Sequence, residues 1–164
     1  GLLTGWELVA LGRHPHTGWM GTFSPHDWDV VKSAVSAVGA EHLAPRLFIE
    51  LSDGERQKLM IARALAQEPR LLLLDEPTAF LDAPRRAELM ILLRHVARRA
   101  NCAILASTHD LQLAQRSADR LWLMDGAGAV ISGTADQTHL ADALIRAFSV
   151  SGLTYDPQTG MFTT

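Results

Sequence analysis

The first third of the chain alternates helical patterns with a loop pattern. Thr4 and Glu7 have the spacing of a capping box, in which both side chains satisfy backbone N–H groups, and this predicts a short helix through Leu11. Segment 12–21 contains a proline and three glycines, which is typical of a loop. Apolar residues in segment 30–38 then recur on one helical face, which predicts a second amphipathic helix.

The pattern changes from helical to strand-like after Pro69. A third helix begins at Ser52 and ends before this proline. The apolar run Leu71–Leu74 predicts a strand that is covered on both faces within a parallel sheet. A helix capped by Asp82 and a second strand over 102–107 follow, so the sequence predicts a β-α-β unit.

The last third predicts smaller elements. A short helix is expected over 110–117, and the apolar segments 121–124 and 129–131 flank a turn, as in a β-hairpin. Segment 139–148 has a helical pattern. The turn residues of segment 155–160 predict a small terminal appendage.

Composition and charge exclude several classes of protein. The chain has 164 residues, 48% of them hydrophobic and 20% charged, which is globular and allows one domain or at most two small ones. The formal charge of −3 gives no basic field that would indicate nucleic acid or anionic lipid as a partner. No apolar stretch approaches the length of a membrane span. The single cysteine, Cys102, excludes an internal disulfide framework.

Two adjacent carboxylates, Asp75 and Glu76, follow the predicted strand Leu71–Leu74. Ligands bind at the carboxyl ends of strands in open parallel sheets. Adjacent residues point to opposite sides, so one carboxylate can face Mg²⁺ while the other reaches a water molecule. Taken alone, the pair favours a plainer interpretation, in which it ends a strand and caps the next turn.

Two further segments are candidates for the same chemistry. Ser52 and Glu55 form a capping box at a helix N-terminus, where backbone amides suit phosphate oxygens. His109 follows the second strand, and we expect it on the same rim as the carboxylate pair, although a lone histidine is more often structural. His14 and His16 flank Pro15 without other ligand types nearby, which favours exposed loop residues over a metal site.

Three segments in this order resemble the ATP-binding cassette (ABC) ATPases: LSDGERQKLMIARAL from Leu51, LLLLDEPTAFLD from Leu71 and STHD from Ser107. The resemblance covers essentially the whole chain. Its elements are the signature (51–55), Walker B (71–76), the D-loop (79–82) and the switch histidine (His109). It implies an α/β, partial P-loop NTPase fold, with a helical signature subdomain over 1–68 and the C-terminal part of a RecA-like, mainly parallel sheet core, with a terminal appendage, over 69–164.

The resemblance also implies roles and cofactors. Asp75 would hold Mg²⁺ through water, Glu76 would be the general base, and His109 would contact the γ-phosphate of ATP. Residues of the signature would bind the ATP held by a second subunit in a head-to-tail dimer; these are Ser52, Gly54 and Glu55. Asp82 would lie at that dimer interface, and its role as a helix N-cap is an equally good explanation.

Three less specific sequence features resemble the ATPase subunits of importers for iron-siderophore, haem or cobalamin. They are segment 7–16, the form LSDGERQK and segment 148–150. This resemblance implies a transmembrane permease as partner and, indirectly, a substrate-binding protein, with the chain on the cytoplasmic side at the inner face of the membrane. No nucleic acid is expected as a partner.

One family element is absent from the sequence. A P-loop ends in Gly-Lys-Ser/Thr, and neither Lys32 nor Lys58 follows a glycine. We therefore expect a fragment without Walker A that is inactive by itself, with apolar sheet surface uncovered. Asp53 also departs from the family signature, which has glycine there, and this slightly weakens the phosphate role of the segment.

Two alternatives remain. An ABC ATPase outside transport, in DNA repair or translation, is disfavoured by the acidic balance and by the short distance between Leu51 and Asp75, which leaves no room for an inserted arm. A truncated interaction module that does not hydrolyse ATP is favoured by the missing P-loop. The presence of both Glu76 and His109 argues against it, because such a module needs neither residue.

Overall fold

The computed structural model describes residues 2–17, 21–79, 81–124, 128–149, 153–156, 159 and 161–163. The chain divides into two compact units, Gly1–Ser107 and Thr108–Thr164. The helices are α1 (Gly5–Ala10), α2 (Pro25–Ala37), α3 (Asp53–Leu65), α4 (Ala83–Arg99), α5 (Leu111–Ser117) and α6 (Thr138–Phe148), with 3₁₀ helices at Leu11–His16 and Phe48–Glu50. The strands are β1 (Leu71–Leu74), β2 (Ala103–Ala106), β3 (Leu121–Met124), β4 (Val130–Gly133), β5 (Thr154–Asp156) and β6 (Met161–Thr163).

Helices α1, α2 and α3 pack together in the first unit, and α1 and α3 begin where the sequence predicts. The Glu7 carboxylate accepts hydrogen bonds from the N–H (2.7 Å) and hydroxyl (2.8 Å) groups of Thr4, which completes the first capping box. The predicted apolar face of α2 is buried, since Val31 and Val35 are fully inaccessible to solvent. Capping and periodicity therefore located these helices correctly.

The prediction of a loop over 12–21 is wrong for its first half, because residues 11–16 form a 3₁₀ helix. Arg13 in this 3₁₀ helix is only 2% exposed. Its guanidinium donates hydrogen bonds to Asp27 (2.9 Å), to the Ala66 carbonyl (2.8 Å) and to Glu68 (2.7 Å). These contacts join the 3₁₀ helix to α2 and to the end of α3. Residues 18–20 of the predicted loop lie outside the described residues.

The buried carboxylate of Asp27 gives the first unit a pH-dependent stability. Hydrogen bonds from Ser24 and from Arg13 lower the pKa of Asp27 to about 2. An unfolded aspartate titrates near 4, so this contribution is present above pH ~4 and is lost as the pH falls towards 2. We expect the free energy of unfolding to fall more steeply between pH 4 and pH 2 in the wild type than in Asp27→Asn. Urea denaturation at pH 4, 3 and 2 measures both slopes, and equal slopes would contradict the assignment.

Strands β1 and β2 form a two-stranded parallel sheet with Leu71 opposite Ala103 and Leu74 opposite Ala106. The β-α-β unit is therefore confirmed. The prediction that β1 is covered on both faces is wrong for the described residues, since Leu72 is 6% exposed and Leu73 is 65% exposed. Only one face packs into the core formed with α4. The uncovered face fits the expectation of exposed apolar sheet surface.

The second unit contains two antiparallel hairpins and α6. Strands β3 and β4 pair as predicted, with the turn at 125–127 outside the described residues. Strands β5 and β6 form the second hairpin, which gives the predicted appendage a definite structure. Tyr155 is 1% exposed and packs with Leu140 and Leu144 of α6, and its hydroxyl donates to Gln115 (2.5 Å).

Candidate functional site

The predicted carboxylates lie at the carboxyl end of the parallel sheet. Asp75 and Glu76 directly follow β1, and both side chains are exposed. Ser107 directly follows β2 and contacts three consecutive residues there. Its N–H donates to the Leu74 carbonyl (2.9 Å), its hydroxyl donates to Asp75 Oδ1 (2.6 Å), and its Oγ accepts from the Glu76 N–H (2.9 Å). The ends of both strands are thus joined at the carboxylate pair.

The backbone at Glu76 has an unusual conformation. Its φ of +41° lies in the left-handed region, which is uncommon for a residue with a side chain. The turn that follows is closed by a hydrogen bond from the Ala79 N–H to the Glu76 carbonyl (2.9 Å), with Pro77 as its second residue. Strained backbone of this kind occurs where the surrounding structure holds it, often at functional sites. Phe80, within the predicted D-loop, lies outside the described residues.

The Asp75 carboxylate fits the requirements of Mg²⁺. Among the described residues, no three His, Cys, Asp or Glu side chains cluster as a metal site. Mg²⁺ needs no such cluster, because it is commonly held by one or two carboxylates together with substrate phosphates and water. His14 and His16 are exposed as expected, but they belong to the 3₁₀ helix 11–16 and not to a loop: His14 lies edge-on to Phe23 (6.0 Å), and a ring nitrogen of His16 lies 3.1 Å from the Gln67 carbonyl.

The N-terminus of α3 holds the predicted signature residues close together. The Glu55 carboxylate accepts hydrogen bonds from the N–H and hydroxyl groups of Ser52, both at 2.8 Å. These hydrogen bonds lower the pKa of Glu55. Asp53 is exposed and lies 3.6 Å from Arg56 as an ion pair. Ser52 therefore contacts Glu55 in this structure, as in the capping interpretation.

Glycine at position 54 is not required by the fold. A Cβ atom placed there would meet the Arg85 guanidinium at 3.4 Å and a Leu81 methyl group at 3.7 Å, which is ordinary contact. Alanine also favours a helix more than glycine does. Neither the packing around position 54 nor the helix propensity of α3 therefore explains the choice of glycine.

The remaining predicted site residues are Asp82 and His109. The Asp82 carboxylate accepts a hydrogen bond from the Arg85 N–H (2.9 Å), which confirms its role as the N-cap of α4. His109 is exposed and lies in the second unit, just before Asp110, which caps α5 by accepting from the Leu113 N–H (3.0 Å). That His109 shares a rim with the carboxylate pair stays a prediction.

Sequence reasoning assigned no role to Ser107 or Arg13. The signal for Ser107 was present, because a hydroxyl residue directly after the second strand of a β-α-β unit reaches the same sheet edge as the residues after the first. Arg13 had no comparable signal, since its partners lie 14, 53 and 55 residues away in the sequence.

Comparisons with known proteins agree with this geometry. The ABC transporter family model matches residues 6–79. The uncharacterized ABC transporter ATP-binding protein MJ0873 of Methanocaldococcus jannaschii is 41% identical over 162 residues, 99% of this chain and 56% of that protein. The hemin import ATP-binding protein HmuV of Methylobacillus flagellatus is 41% identical over 127 residues, 74% of this chain and 46% of that protein. The chain spans about half the length of the curated relatives it matches.

A solved structure is similar over most of the chain. It is an inward-facing ABC transporter assigned to the metal-chelate type, with a TM-score of 0.81 and 30% identity over 90% of this chain and 59% of that one. The two parallel strands, with the carboxylate pair after β1 and a helical part before it, form a partial P-loop NTPase fold of mixed α/β class. The chain matches the ABC transporter family model over residues 6–79 and is similar over nearly its whole length to an ABC transporter ATP-binding protein. No helix built from the described residues is long and apolar enough to cross a membrane.

Proposed function

We propose that the chain is part of the ATP-binding and ATP-hydrolysing subunit of an ABC importer for iron-siderophore, haem or a related metal chelate. The observation that carries the proposal is the pair Asp75 and Glu76 at the carboxyl end of β1, joined to the end of β2. The cargo class is supported by a relative named for hemin import and a similar structure of metal-chelate type.

The residues at the sheet edge have distinct proposed roles. Asp75 holds Mg²⁺, usually through water, and Mg²⁺ when bound neutralises phosphate charge. Glu76 accepts the proton of the attacking water as general base, a role that its exposed carboxylate permits. His109 contacts the γ-phosphate and helps to orient that water. The positioning and charge stabilisation that phosphoryl transfer needs are thereby provided.

The signature residues act on the ATP of a second subunit. Ser52, Gly54 and Glu55 lie at the N-terminus of α3, where backbone N–H groups and the helix dipole favour phosphate oxygens. We propose a head-to-tail dimer in which Asp82 lies at the interface in addition to capping α4. A transmembrane permease binds this dimer at the cytoplasmic side of the membrane, and a substrate-binding protein delivers cargo to the permease.

The proposed subdivision is a helical signature subdomain over 1–68 and the C-terminal part of the catalytic core over 69–164. Walker A lies outside these 164 residues in this proposal. Lys32 and Lys58 belong to helices α2 and α3, so neither occupies a glycine-rich loop. A polypeptide limited to residues 1–164 is accordingly expected to hydrolyse little or no ATP.

The proposal is tested on the natural polypeptide that contains this chain, purified with its permease. Mg²⁺-dependent ATP hydrolysis and ATP-driven uptake of radiolabelled haem or a ferric siderophore into proteoliposomes are the expected results. Absence of ATP hydrolysis would contradict the enzymatic assignment. Hydrolysis that is stimulated by nucleic acid instead of by the permease would favour the ABC ATPases outside transport.

Gly54→Ala separates a functional glycine from a structural one. We expect the rate of ATP hydrolysis in the natural polypeptide to fall by about tenfold or more, because a methyl group would obstruct the approach of phosphate to the amides of α3. The melting temperature should not fall, since the space around position 54 accepts a Cβ atom. Steady-state ATPase kinetics and thermal denaturation measure the two effects, and unchanged hydrolysis would remove Gly54 from the site.

A further inference from the structure

Ser107 joins two strand ends through its side chain as well as its backbone. The hydroxyl donates to Asp75 Oδ1 at 2.6 Å, while the same oxygen accepts from the Glu76 N–H at 2.9 Å. A serine hydroxyl provides one donor and two acceptor lone pairs, so both hydrogen bonds can form together. One side chain therefore contacts the two residues to which Mg²⁺ binding and proton transfer are assigned.

We propose that Ser107 is a positioning residue for ATP hydrolysis, which holds the Asp75 carboxylate and the Glu76 backbone in the arrangement that the reaction needs. This inference rests on the proposed function. Groups that hydrogen-bond to a metal-binding carboxylate fix its orientation and tune its binding. Here the same hydroxyl also holds the amide of a residue whose φ is +41°, so removal of the hydroxyl releases both neighbours at once.

Strand pairing alone does not account for the Ser107 hydroxyl. Backbone hydrogen bonds already join the strands at both ends, from the Ala103 N–H to the Arg70 carbonyl (3.0 Å) and from the Ser107 N–H to the Leu74 carbonyl (2.9 Å). Ser107 is exposed, so its side chain contributes little to the core. Alanine at this position keeps the backbone contacts and loses only the two hydrogen bonds to Asp75 and Glu76.

The test compares Ser107→Ala with Ser107→Thr in the natural polypeptide. In Ser107→Ala we expect kcat to fall by about tenfold or more, with the KM for ATP little changed and the Mg²⁺ concentration for half-maximal activity raised. Ser107→Thr keeps a hydroxyl on the same Cβ and should restore kcat to within about threefold of the wild type. The control is Ser33→Ala, which removes an exposed hydroxyl from α2 and should change none of these values.

A second readout does not depend on catalysis. Hydrogen exchange of the Glu76 amide, measured by NMR without nucleotide, should be faster in Ser107→Ala than in the wild type and should return towards the wild-type rate in Ser107→Thr. An active wild type whose Ser107→Ala variant matches it in kcat and in Glu76 exchange would overturn this inference alone. A wild type that does not hydrolyse ATP would overturn the proposed function and this inference with it.

Discussion

Glu76→Gln is expected to lower the rate of ATP hydrolysis by the natural polypeptide by about 100-fold or more, the range that loss of a general base produces. The amide of glutamine has nearly the shape of the carboxylate but does not accept the proton of the attacking water. Glu76 is exposed, so the substitution leaves the core unchanged. Its backbone contacts, from its N–H to Ser107 and from Ala79 to its carbonyl, are also retained. Single-turnover and steady-state hydrolysis assays measure the effect.

The matched control for this substitution is Glu88→Gln, which makes the same chemical change at an exposed position of α4 and should leave hydrolysis unchanged. ATP affinity of the Glu76→Gln variant should stay within a few-fold of the wild type, because the proposed role of Glu76 is in the chemical step. ATP-bound dimers should then accumulate, as measured by size-exclusion chromatography. Hydrolysis at the wild-type rate would remove Glu76 from its proposed role.

Local chemistry made the helices and the first strand predictable. Thr4 with Glu7 and Asp82 at the start of α4 act through contacts within three residues, which a linear sequence displays directly. The four leucines of β1 predicted a strand because an uninterrupted apolar run is also visible in the linear sequence. Their exposure was not predictable, because it depends on which elements lie against each face of the sheet.

The candidate site was predictable in its residue types and less so in its connections. Asp75 and Glu76 were found because an acidic pair directly follows an apolar run. The bonds to Ser107 depend on the register that places Leu74 opposite Ala106, a relation between residues 32 apart. Sequence spacing gives no register for parallel strands that are joined by a helix. The position of Ser107 could be expected at the same edge, but its bridging contacts required the structure.

The incorrect loop prediction in the first half of segment 12–21 also arose from contacts between residues far apart in the sequence. Glycine and proline are typical of loops when only neighbouring residues are considered. At Gly12 the small residue instead allows the 3₁₀ helix to lie directly against the backbone of α3 near Arg63 and Ala66. A glycine that permits close packing and a glycine that permits a turn look identical in sequence.

That close packing makes Gly12→Ala the substitution with the largest expected effect on stability. A Cβ atom at position 12 would overlap the carbonyl oxygen of Arg63 and lie 3.0 Å from the Ala66 side chain. The Arg63 carbonyl belongs to the backbone of α3, so relief requires the two helices to move apart. Such movement would also strain the hydrogen bond from Arg13 to the Ala66 carbonyl. We expect the free energy of unfolding to fall by about 3 kcal/mol, measured by urea denaturation followed by circular dichroism.

Gly54→Ala provides the matched control. It also replaces glycine with alanine, but at the N-terminus of α3, where a Cβ atom is accommodated. Its free energy of unfolding should differ from that of the wild type by less than about 1 kcal/mol. The two substitutions should therefore affect different properties. Gly12→Ala lowers the stability of the fold, whereas Gly54→Ala keeps the stability and lowers the rate of ATP hydrolysis. Equal stability of the two variants would mean that the 3₁₀ helix does not lie against α3 as described, and that the buried position of Arg13 needs another explanation.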